Sequence, residues 1–514
     1  MNKFGKLLGF DPEKKQTTVK TEIVAGIVTF LAMAYILTVN PAQILVGMED
    51  SAAYWPSVFM ATAFGAIIGT LLMAFFAKMP LAQASGMGLN SLLGGIIAFY
   101  AADTYGVRFT IGQAFLMVLI SGIIFLALSL IQIKGKTFRE LVFDGMPVSV
   151  RSAIAVGIGL FIAYIGMQNA GIIVTQPWTQ VGLVNFSNWE NTQNIQYGAS
   201  GGALFSVLPT VAAAKTAAVA LIGLFLIAIL DKLNVKGSVI FGILGAAIIG
   251  IPLGVTDLSV LAGTETVSWK FWENFANFFA GEKTVFLSFT DAFSTGFPAG
   301  SIFTVIMLIL TMCMIDMFDT MGTIVGCCGG NRILSDENNK PHNYGKIMIS
   351  DAVATCAGAI LGTSTVTTFV ESGAGVSAGG RTGLTAFVTA CMFFLSLFAM
   401  PLFAAIPSAA TASALIYVGV LMMKNNIKSV DFSDAINATS AFLTIIIMVV
   451  SYSITKGIGI GMIAYTIMNA ISYVIELVKY AITKKGEKPV WNISIVTLIV
   501  TALFALYFFV PVSL

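Results

Sequence analysis

The sequence contains little charge. Asp, Glu, Lys and Arg make up only 10% of its 514 residues, whereas 57% of the residues are hydrophobic. Soluble globular domains carry about 25% charged residues. The scarcity of charge therefore excludes an ordinary soluble protein and predicts one that lies in a lipid bilayer.

Histidine and cysteine are also scarce. The only histidine, His342, lies in the polar stretch 331–346, and the five cysteines fall within apolar segments or at their ends. They form neither a disulfide framework nor the spacing of a zinc site. A membrane-embedded enzyme would need a nucleophile with its base, or a metal cluster. We therefore expect no metal, no cofactor and no enzymatic activity.

What the chain does contain is a series of apolar runs, most of them long enough to cross about 30 Å of hydrocarbon. Apolar windows and helix breakers predict two sets of seven spans. The first set covers 23–47, 56–77, 81–101, 111–133, 147–169, 208–230 and 236–253. The second covers 299–328, 345–361, 363–380, 382–405, 407–423, 433–453 and 457–481, and a further apolar stretch follows at 491–511.

The basic residues predict the orientation of these spans. Residues 1–22 carry five lysines and lack the features of a cleavable secretory signal. If this segment is cytoplasmic, all but five of the 27 Lys and Arg residues fall on the cytoplasmic side, the exceptions being Arg108, Lys215, Lys270, Lys283 and Lys456. The positive-inside rule therefore favours a cytoplasmic N-terminus.

Two sets of seven spans would enter the membrane in opposite senses, because each set has an odd number. Short similarities support such a repeat. Ser85-Gly-Met-Gly-Leu-Asn90 in span 3 resembles Ser372-Gly-Ala-Gly-Val-Ser377 in span 10. Inverted repeats place the substrate site between two broken helices near the bilayer midplane. Spans 3 and 10 are therefore the candidates for breakage.

The composition of span 10 agrees with a break. Residues 363–368 are mostly threonine and valine, which favour an extended piece over a helix. We expect this piece to lead into a helix that starts at Glu371 and Ser372, with free N–H groups that point into the site. Span 3 can do the same before Ser85. Such breaks are tolerated at membrane depth only where the backbone lines a cavity or is buried in protein.

Three acidic residues within predicted spans are candidates for the site. Asp316 and Asp319 belong to span 8, where Thr323 shares a helix face with Asp319. Glu371 lies at the break in span 10. An uncompensated charge in the membrane usually has a function. The structural alternative is that Asp316 or Asp319 caps a helix or pairs with a buried donor, and that Glu371 is an ordinary acid at a helix start.

Two amides in span 3 are weaker candidates for the site. Gln83 and Asn90 lie close to the predicted break. An amide in that position can line a site, but it can also simply satisfy backbone groups that the break leaves open. Both interpretations stay open from sequence alone.

Several long motifs, in the same order, resemble one family: the adenine/guanine/hypoxanthine permeases, a branch of the nucleobase/ascorbate transporter superfamily. The resemblance runs from about residue 10 to about residue 480. The motifs are Thr29-Phe-Leu-Ala-Met-Ala-Tyr-Ile-Leu-Thr-Val-Asn-Pro41, Gly86-Met-Gly-Leu-Asn90, Asp316-Met-Phe-Asp-Thr-Met-Gly-Thr323, Gly362-Thr-Ser-Thr365, Val370-Glu-Ser372 and Ala378-Gly-Gly-Arg-Thr-Gly383.

The resemblance implies an all-α membrane protein of 14 transmembrane segments, built as two inverted seven-span repeats with short extended pieces in spans 3 and 10. It also implies a core domain that slides against a gate domain like an elevator. The core would comprise 23–133 and 299–405, and the gate 147–253 and 407–481. The remaining parts are a cytoplasmic segment at 1–22, an extracellular loop at 254–298 and an extra C-terminal apolar segment at 491–511.

By the same resemblance, Asp319 and Glu371 match the pair of acids that holds the base and couples the proton. Thr323 resembles the position that carries histidine in the uracil and xanthine branches. Two departures concern the site: Ser85 stands where relatives carry proline, and Cys327-Cys328 replaces the aliphatic end of span 8. Ser85 and Gln83 could therefore affect the choice among purines.

The expected chemistry follows from the shape of a nucleobase, which offers a planar face and an edge of N–H donors and N or O acceptors. Glu371 would accept N–H groups of the base, helped by backbone N–H groups near Ser372 and Ser85. Apolar contacts would come from Phe318, Phe369 or Met87. Asp319 would carry the driving proton, with Asp316 as the second choice, since burial and a neighbouring carboxylate favour the protonated form.

The sequence thus predicts a proton-coupled importer of purine nucleobases in the cell (plasma) membrane, with the base, protons and the lipid bilayer as partners. A homodimer is left open, and nucleic acid is not expected. The alternatives are a xanthine or pyrimidine carrier, and a sulfate or bicarbonate transporter on the same fold. Two acids at the site speak against an anion, which they would repel.

Overall fold

A computed structural model describes the following residues of the chain: 3–46, 48, 50–101, 109–133, 136–137, 147–176, 180–186, 189, 214–235, 237–262, 267–298, 300–328, 333–335, 341–451, 453–484 and 489–509. The described chain is mainly helical. Nine of its helices are long and apolar enough to cross a membrane, and five further apolar helices are shorter.

In the described part of the first half there are ten helices and five short strands. The helices are α1 (Lys3–Leu7), α2 (Pro12–Lys15), α3 (Val19–Met33), α4 (Ile36–Ile44), α5 (Ser51–Leu72, extended by a π turn over Met73–Ala77), α6 (Met87–Ala101), α7 (Ile111–Leu130), α8 (Val148–Asn169), α9 (Ala214–Lys232) and α10 (Ser238–Gly250). The strands are β1 (Gln83–Ser85), the hairpin of β2 (Gln132–Ile133) and β3 (Lys136–Thr137), and the hairpin of β4 (Ile173–Gln176) and β5 (Gln180–Leu183).

The described residues of the second half form one strand, β6 (Val366–Thr368), and eleven helices. These helices are α11 (Phe271–Ala280), α12 (Asp291–Thr295), α13 (Ile302–Cys328), α14 (Tyr344–Leu361), α15 (Ser372–Ser377), α16 (Gly383–Ser396), α17 (Met400–Ala404), α18 (Ser408–Asn426), α19 (Ala435–Val450), α20 (Ile454–Thr483) and α21 (Ile495–Phe509).

The predicted apolar runs correspond to these helices within a few residues at most ends, because length and hydrophobicity suffice to detect a membrane helix. Residues 208–213 of predicted span 6 lie outside the described residues. Predicted span 23–47 corresponds to one candidate membrane span over Val19–Ile44. Within it the backbone tightens between α3 and α4, where the N–H groups of Leu37 and Thr38 bond only three residues back, to Ala34 and Tyr35.

The helices pack in two groups. In one group, α8 packs against α18, α19 and α20, and α9 packs against α10 and α18. In the other, α14 packs against α5 and α7, and α16 packs against α3 and α5. A glycine permits the close crossing of α8 and α18, since a Cβ on Gly159 would lie 2.9 Å from the carbonyl oxygen of Gly419.

A buried carboxylate connects α3 to the start of α16. Glu22 is fully buried. It accepts hydrogen bonds from the backbone N–H groups of Arg381 at 3.0 Å and Thr382 at 3.3 Å. The Thr385 hydroxyl donates a third bond, at 2.5 Å. A carboxylate is stabilised at a helix N-terminus because the first N–H groups lack partners within the helix. Glu22 therefore anchors the first membrane helix to the segment after α15.

Candidate functional site

Two short strands meet inside the helical bundle. β1 and β6 pair in antiparallel fashion, with Gln83 opposite Thr368 and Ser85 opposite Val366. Beyond the ladder, the Gly86 N–H donates to the Thr365 carbonyl at 2.9 Å. Both strands are fully buried. The extended pieces predicted in spans 3 and 10 are thereby confirmed, and each strand satisfies backbone groups of the other where water is absent.

Glycines on two neighbouring helices make room for this pair. A Cβ on Gly65 of α5 would lie 3.0 Å from Val366 Cγ2, and one on Gly358 of α14 would lie 2.7 Å from the same atom. Real Cβ atoms do not approach this closely without displacement of their neighbours. The strand pair therefore packs directly against the backbones of α5 and α14.

A third buried acid, Asp351 of α14, holds one end of the strand pair. It accepts hydrogen bonds from Gln83 Nε2 at 2.9 Å, from the Thr368 N–H at 3.2 Å and from Thr320 Oγ1 at 2.7 Å. The sequence analysis missed Asp351, although an acid inside a predicted span was the signal available. Gln83 is fully buried and bound to this acid, so the structure places it in the scaffold around the strands.

Ser85 and Asn90 belong to a second buried network. Ser85 shares a hydrogen bond of 2.6 Å with Thr363, which also accepts a bond of 2.8 Å from Asn40. Asn90 accepts a bond from the Ser364 hydroxyl. These contacts hold residues 363–364 against α6, and both side chains are fully buried. The structural interpretation of Asn90 fits its contacts better than a role in binding.

Glu371 lies directly before α15 and meets two other membrane segments. Its Oε1 accepts a hydrogen bond of 2.5 Å from the Tyr35 hydroxyl. The same hydroxyl lies 3.7 Å from Met87 Sδ, at the start of α6. Glu371 Oε2 is buried and has no hydrogen-bond partner among the described residues. The site thus contains one open carboxylate oxygen beside a tyrosine and an apolar thioether. Tyr35 was not predicted as part of the site.

Asp319 of α13 faces the start of α6. A Cβ on Gly86 would lie 3.7 Å from both Asp319 Oδ2 and Thr365 Oγ1. Asp319 is partly exposed, and the carboxylates of Asp351 and Glu371 act on it electrostatically. Asp319 and Glu371 are thus brought into the same region. No hydrogen bond to the Asp319 carboxylate is found among the described residues.

Asp316 lies one turn earlier on α13 and has different neighbours. It is fully buried, and its Oδ2 accepts a hydrogen bond of 3.1 Å from Thr355 Oγ1 of α14. This contact is the pairing with a buried donor that the structural alternative predicts. Thr323, four residues after Asp319, is also buried.

The expected free N–H groups at the start of α15 are not available. The N–H groups of Ser372, Gly373 and Ala374 donate to carbonyl oxygens three residues back, because the chain enters this short helix through a tight turn. At the start of α6, by contrast, the N–H groups of Met87 and Gly88 have no acceptor within the described residues. The open donors therefore lie in the third predicted span and not in the tenth.

The remaining predicted residues surround these groups. Ser372 Oγ accepts a hydrogen bond of 3.0 Å from the Ala82 N–H, so this side chain joins the two broken segments. Phe369 is buried, and Cys327 Sγ lies 3.4 Å from the Val370 carbonyl oxygen. The side chain of Phe318 lies outside the described part of the structure. Across α6, a Cβ on Gly88 would lie 3.0 Å from Ile158 Cγ2 of α8.

Taken together, the broken segments present a hydrogen-bond acceptor, backbone donors and an apolar surface near two acids. Such a set suits a small, neutral, planar molecule with a polar edge better than an anion.

Comparison with known proteins agrees with a transporter. The model described as "Permease family" matches residues 20–193 and 190–460. The chain therefore belongs to this family.

Within it, the chain falls in the branch of adenine, guanine and hypoxanthine permeases, as its motifs predicted. It is 34% identical over 465 residues to the guanine/hypoxanthine permease PbuO of Bacillus subtilis, a match that covers 90% of this chain and 94% of that protein. It is 33% identical over 455 residues to the adenine permease AdeP of Escherichia coli, covering 88% and 87%.

Solved structures share the fold at much lower identity. The transmembrane domain of a cyanobacterium bicarbonate transporter, BicA, superposes with a TM-score of 0.56 at 15% identity, covering 85% of this chain and 97% of that chain. The murine anion transporter Slc26a9 gives a TM-score of 0.54 at 12% identity, covering 91% and 71%. The protein is thus a multi-pass membrane protein with the fold of these transporters.

Substitution of Gly86 by alanine should disturb the strand pair. The new Cβ would lie 2.7 Å from Thr367 Cγ2, and Thr367 is held by a hydrogen bond of 2.6 Å to Thr320. Overpacking of this kind costs about 1–3 kcal/mol. The midpoint of thermal unfolding in detergent should therefore fall. Gly345→Ala is the matched control, because nothing lies within 4 Å of its Cβ position. Equal midpoints for the two variants would contradict the packing described here.

Proposed function

We propose that this protein is a secondary active transporter that imports purine nucleobases (guanine, hypoxanthine or adenine) by proton symport. The observation that carries the proposal is the buried Oε2 of Glu371, which has no partner among the described residues. Tyr35 joins the same carboxylate to Met87 at the start of α6, where the N–H groups are open. An acceptor oxygen matches an N–H on the edge of the base, and backbone N–H groups match a ring nitrogen or a carbonyl oxygen. Met87 offers an apolar contact for the ring.

The names of the relatives support a purine as substrate. PbuO is named for guanine and hypoxanthine, and AdeP for adenine. The anion transporters share only the fold, and a fold does not determine the substrate. An anion would meet the carboxylates of Asp319 and Glu371, and their repulsion would exceed the attraction of one helix start. A xanthine or pyrimidine carrier is the nearest alternative, since xanthine and the pyrimidine bases also present N–H donors to an acid.

Asp319 is the proposed carrier of the driving proton. Its carboxylate lies near Gly86 at the start of α6 and interacts with those of Asp351 and Glu371. Adjacent carboxylates in a medium of low dielectric constant resist simultaneous ionisation. Uptake of a proton from the outside would therefore favour loading of the base, and its release inside would favour unloading. Asp316, bound to Thr355, is the second choice.

The two packing groups of helices support a core and a gate. The core comprises spans 1–4 and 8–11, within 23–133 and 299–405, and contains both broken segments. The gate comprises spans 5–7 and 12–14, within 147–253 and 407–481. The contact between Gly88 of α6 and Ile158 of α8 joins the two groups next to the open N–H groups. In the proposed elevator motion, the core carries the base past this contact.

A fourteen-span architecture of two inverted repeats also belongs to this proposal. Its support is the antiparallel pairing of β1 with β6, one from each half, since inversion makes equivalent segments meet in opposite directions. In this scheme α21 is an additional apolar helix packed on α20. The N-terminus lies in the cytoplasm of a plasma membrane, as the distribution of Lys and Arg predicts.

Chemical labelling tests the orientation. His342 and Glu282 are exposed in loops that the proposal places on opposite sides of the membrane. In a background without the native cysteines, Glu282→Cys should react with a membrane-impermeant reagent in intact cells. His342→Cys should react only after the membrane is opened. The opposite pattern would show that the orientation is inverted. Equal labelling of both cysteines in intact cells would refute the proposed topology.

Substitution of Asp319 by asparagine should separate binding from coupling. The amide keeps the shape of the side chain but cannot carry the driving proton. Proton-driven accumulation of the base should be lost, while exchange of labelled for unlabelled base persists. Uptake and exchange in vesicles, with and without an imposed pH gradient, measure the two activities. Accumulation that still follows the gradient would move the coupling site to another residue, with Asp316 tested next.

Substitution of Glu371 by glutamine tests the proposed function itself. The amide can turn an N–H₂ group towards the donors of the base, and loss of a charge-assisted hydrogen bond costs about 1.5–3 kcal/mol. Guanine and hypoxanthine should therefore bind more than about tenfold more weakly. Binding of labelled base to purified protein measures this, with Lys283→Gln in the outer loop as control.

Competition identifies the substrate class in the same assay. Purines should displace the label from the wild-type protein, whereas uracil and sulfate should not. Unchanged purine binding by Glu371→Gln would refute the assigned acceptor. Displacement by sulfate would instead support an anion carrier.

A further inference from the structure

Tyr35 occupies an unusual place in the first membrane segment. It lies between α3 and α4, where the backbone stays helical. There the N–H groups of Leu37 and Thr38 bond to carbonyl oxygens three residues back instead of four. The Tyr35 carbonyl accepts bonds from the Thr38 hydroxyl at 2.9 Å and from the Val39 N–H at 3.0 Å. These contacts fix the backbone from which the tyrosine side chain extends.

The side chain of Tyr35 is fully buried and spans the gap to two other segments. Its hydroxyl donates to Glu371 Oε1 at 2.5 Å, and its oxygen lies 3.7 Å from Met87 Sδ. One phenol group thus connects the first membrane segment with both broken segments. A buried tyrosine hydroxyl needs a partner, and a carboxylate is a strong one.

This contact distinguishes the two oxygens of the Glu371 carboxylate. Oε1 is occupied by Tyr35, whereas Oε2 has no partner among the described residues. A glutamate side chain has three rotatable bonds, and one held oxygen restricts the orientation of the whole carboxylate. A carboxylate that is oriented before binding loses less entropy when the ligand arrives.

We propose that Tyr35 is a positioning residue for the substrate: by holding Oε1, it directs the open Oε2 of Glu371 towards the N–H edge of the base. This inference rests on the proposed function, in which Glu371 is the acceptor for the base. It assigns the first membrane segment a direct part in recognition and predicts that Tyr35 acts through Glu371 and not independently.

A double-mutant cycle tests the inference. Tyr35→Phe removes one oxygen and keeps the ring, so guanine should bind about five- to twentyfold more weakly. Glu371→Gln should weaken binding by more than about tenfold. Because the tyrosine acts through the carboxylate, the double variant should bind within about twofold of Glu371→Gln alone. Effects that multiply would show that Tyr35 acts independently and would overturn the proposal.

Two further variants separate positioning from stability. Tyr417→Phe is the matched control, because Tyr417 is a buried tyrosine on α18, in the other helix group. It should bind guanine within about twofold of the wild type. Glu371→Asp draws the carboxylate back by about 1.5 Å, beyond the reach of Tyr35, and should weaken guanine binding about as much as Tyr35→Phe. Gel filtration and thermal unfolding verify that each variant folds.

The outcomes distinguish two failures. Wild-type binding by Tyr35→Phe or by Glu371→Asp, with weak binding by Glu371→Gln, would refute the positioning role alone. Wild-type binding by Glu371→Gln would refute the proposed function on which this role rests.

Discussion

The backbone of two interrupted membrane segments has to find hydrogen-bond partners where water is absent. An unsatisfied peptide group in hydrocarbon costs several kcal/mol. β1 and β6 solve this problem together, because each provides the other's partners. The acids, the tyrosine and the open start of α6 are all arranged around this pair. Asp351 binds its Thr368 end, and Glu371 follows it by only three residues.

Properties encoded locally could be predicted from the sequence. The threonines and valine of 363–368 favour an extended chain, and the small residues after Glu371 permit a tight helix start. Length and apolarity sufficed to detect most membrane helices. An acid in a segment without charge stands out in any linear reading, and for this reason Asp319 and Glu371 were identified while their neighbours were not.

The contacts that the sequence did not reveal join residues far apart in the chain. Tyr35 is 336 residues from Glu371, and Gln83 is 268 residues from Asp351. A tyrosine in an apolar helix carries no local signal that distinguishes a packing residue from a donor to a distant carboxylate. The use of the α15 N–H groups was also hidden, because it depends on a turn whose bonds reach back only three residues. Side chains that serve the scaffold, such as Asn90, look the same in sequence as side chains that contact a ligand.

The attachment of Glu22 to the start of α16 has a consequence for biosynthesis. The backbone N–H and hydroxyl groups that donate hydrogen bonds to this carboxylate follow it in the chain by 359 to 363 residues. At a translation rate of about 5–20 residues per second, they leave the ribosome roughly 20–70 s after Glu22. During this interval the first helix carries a carboxylate without the donors that compensate its burial. The attachment of this helix to the start of α16 therefore forms only when the second half of the chain arrives.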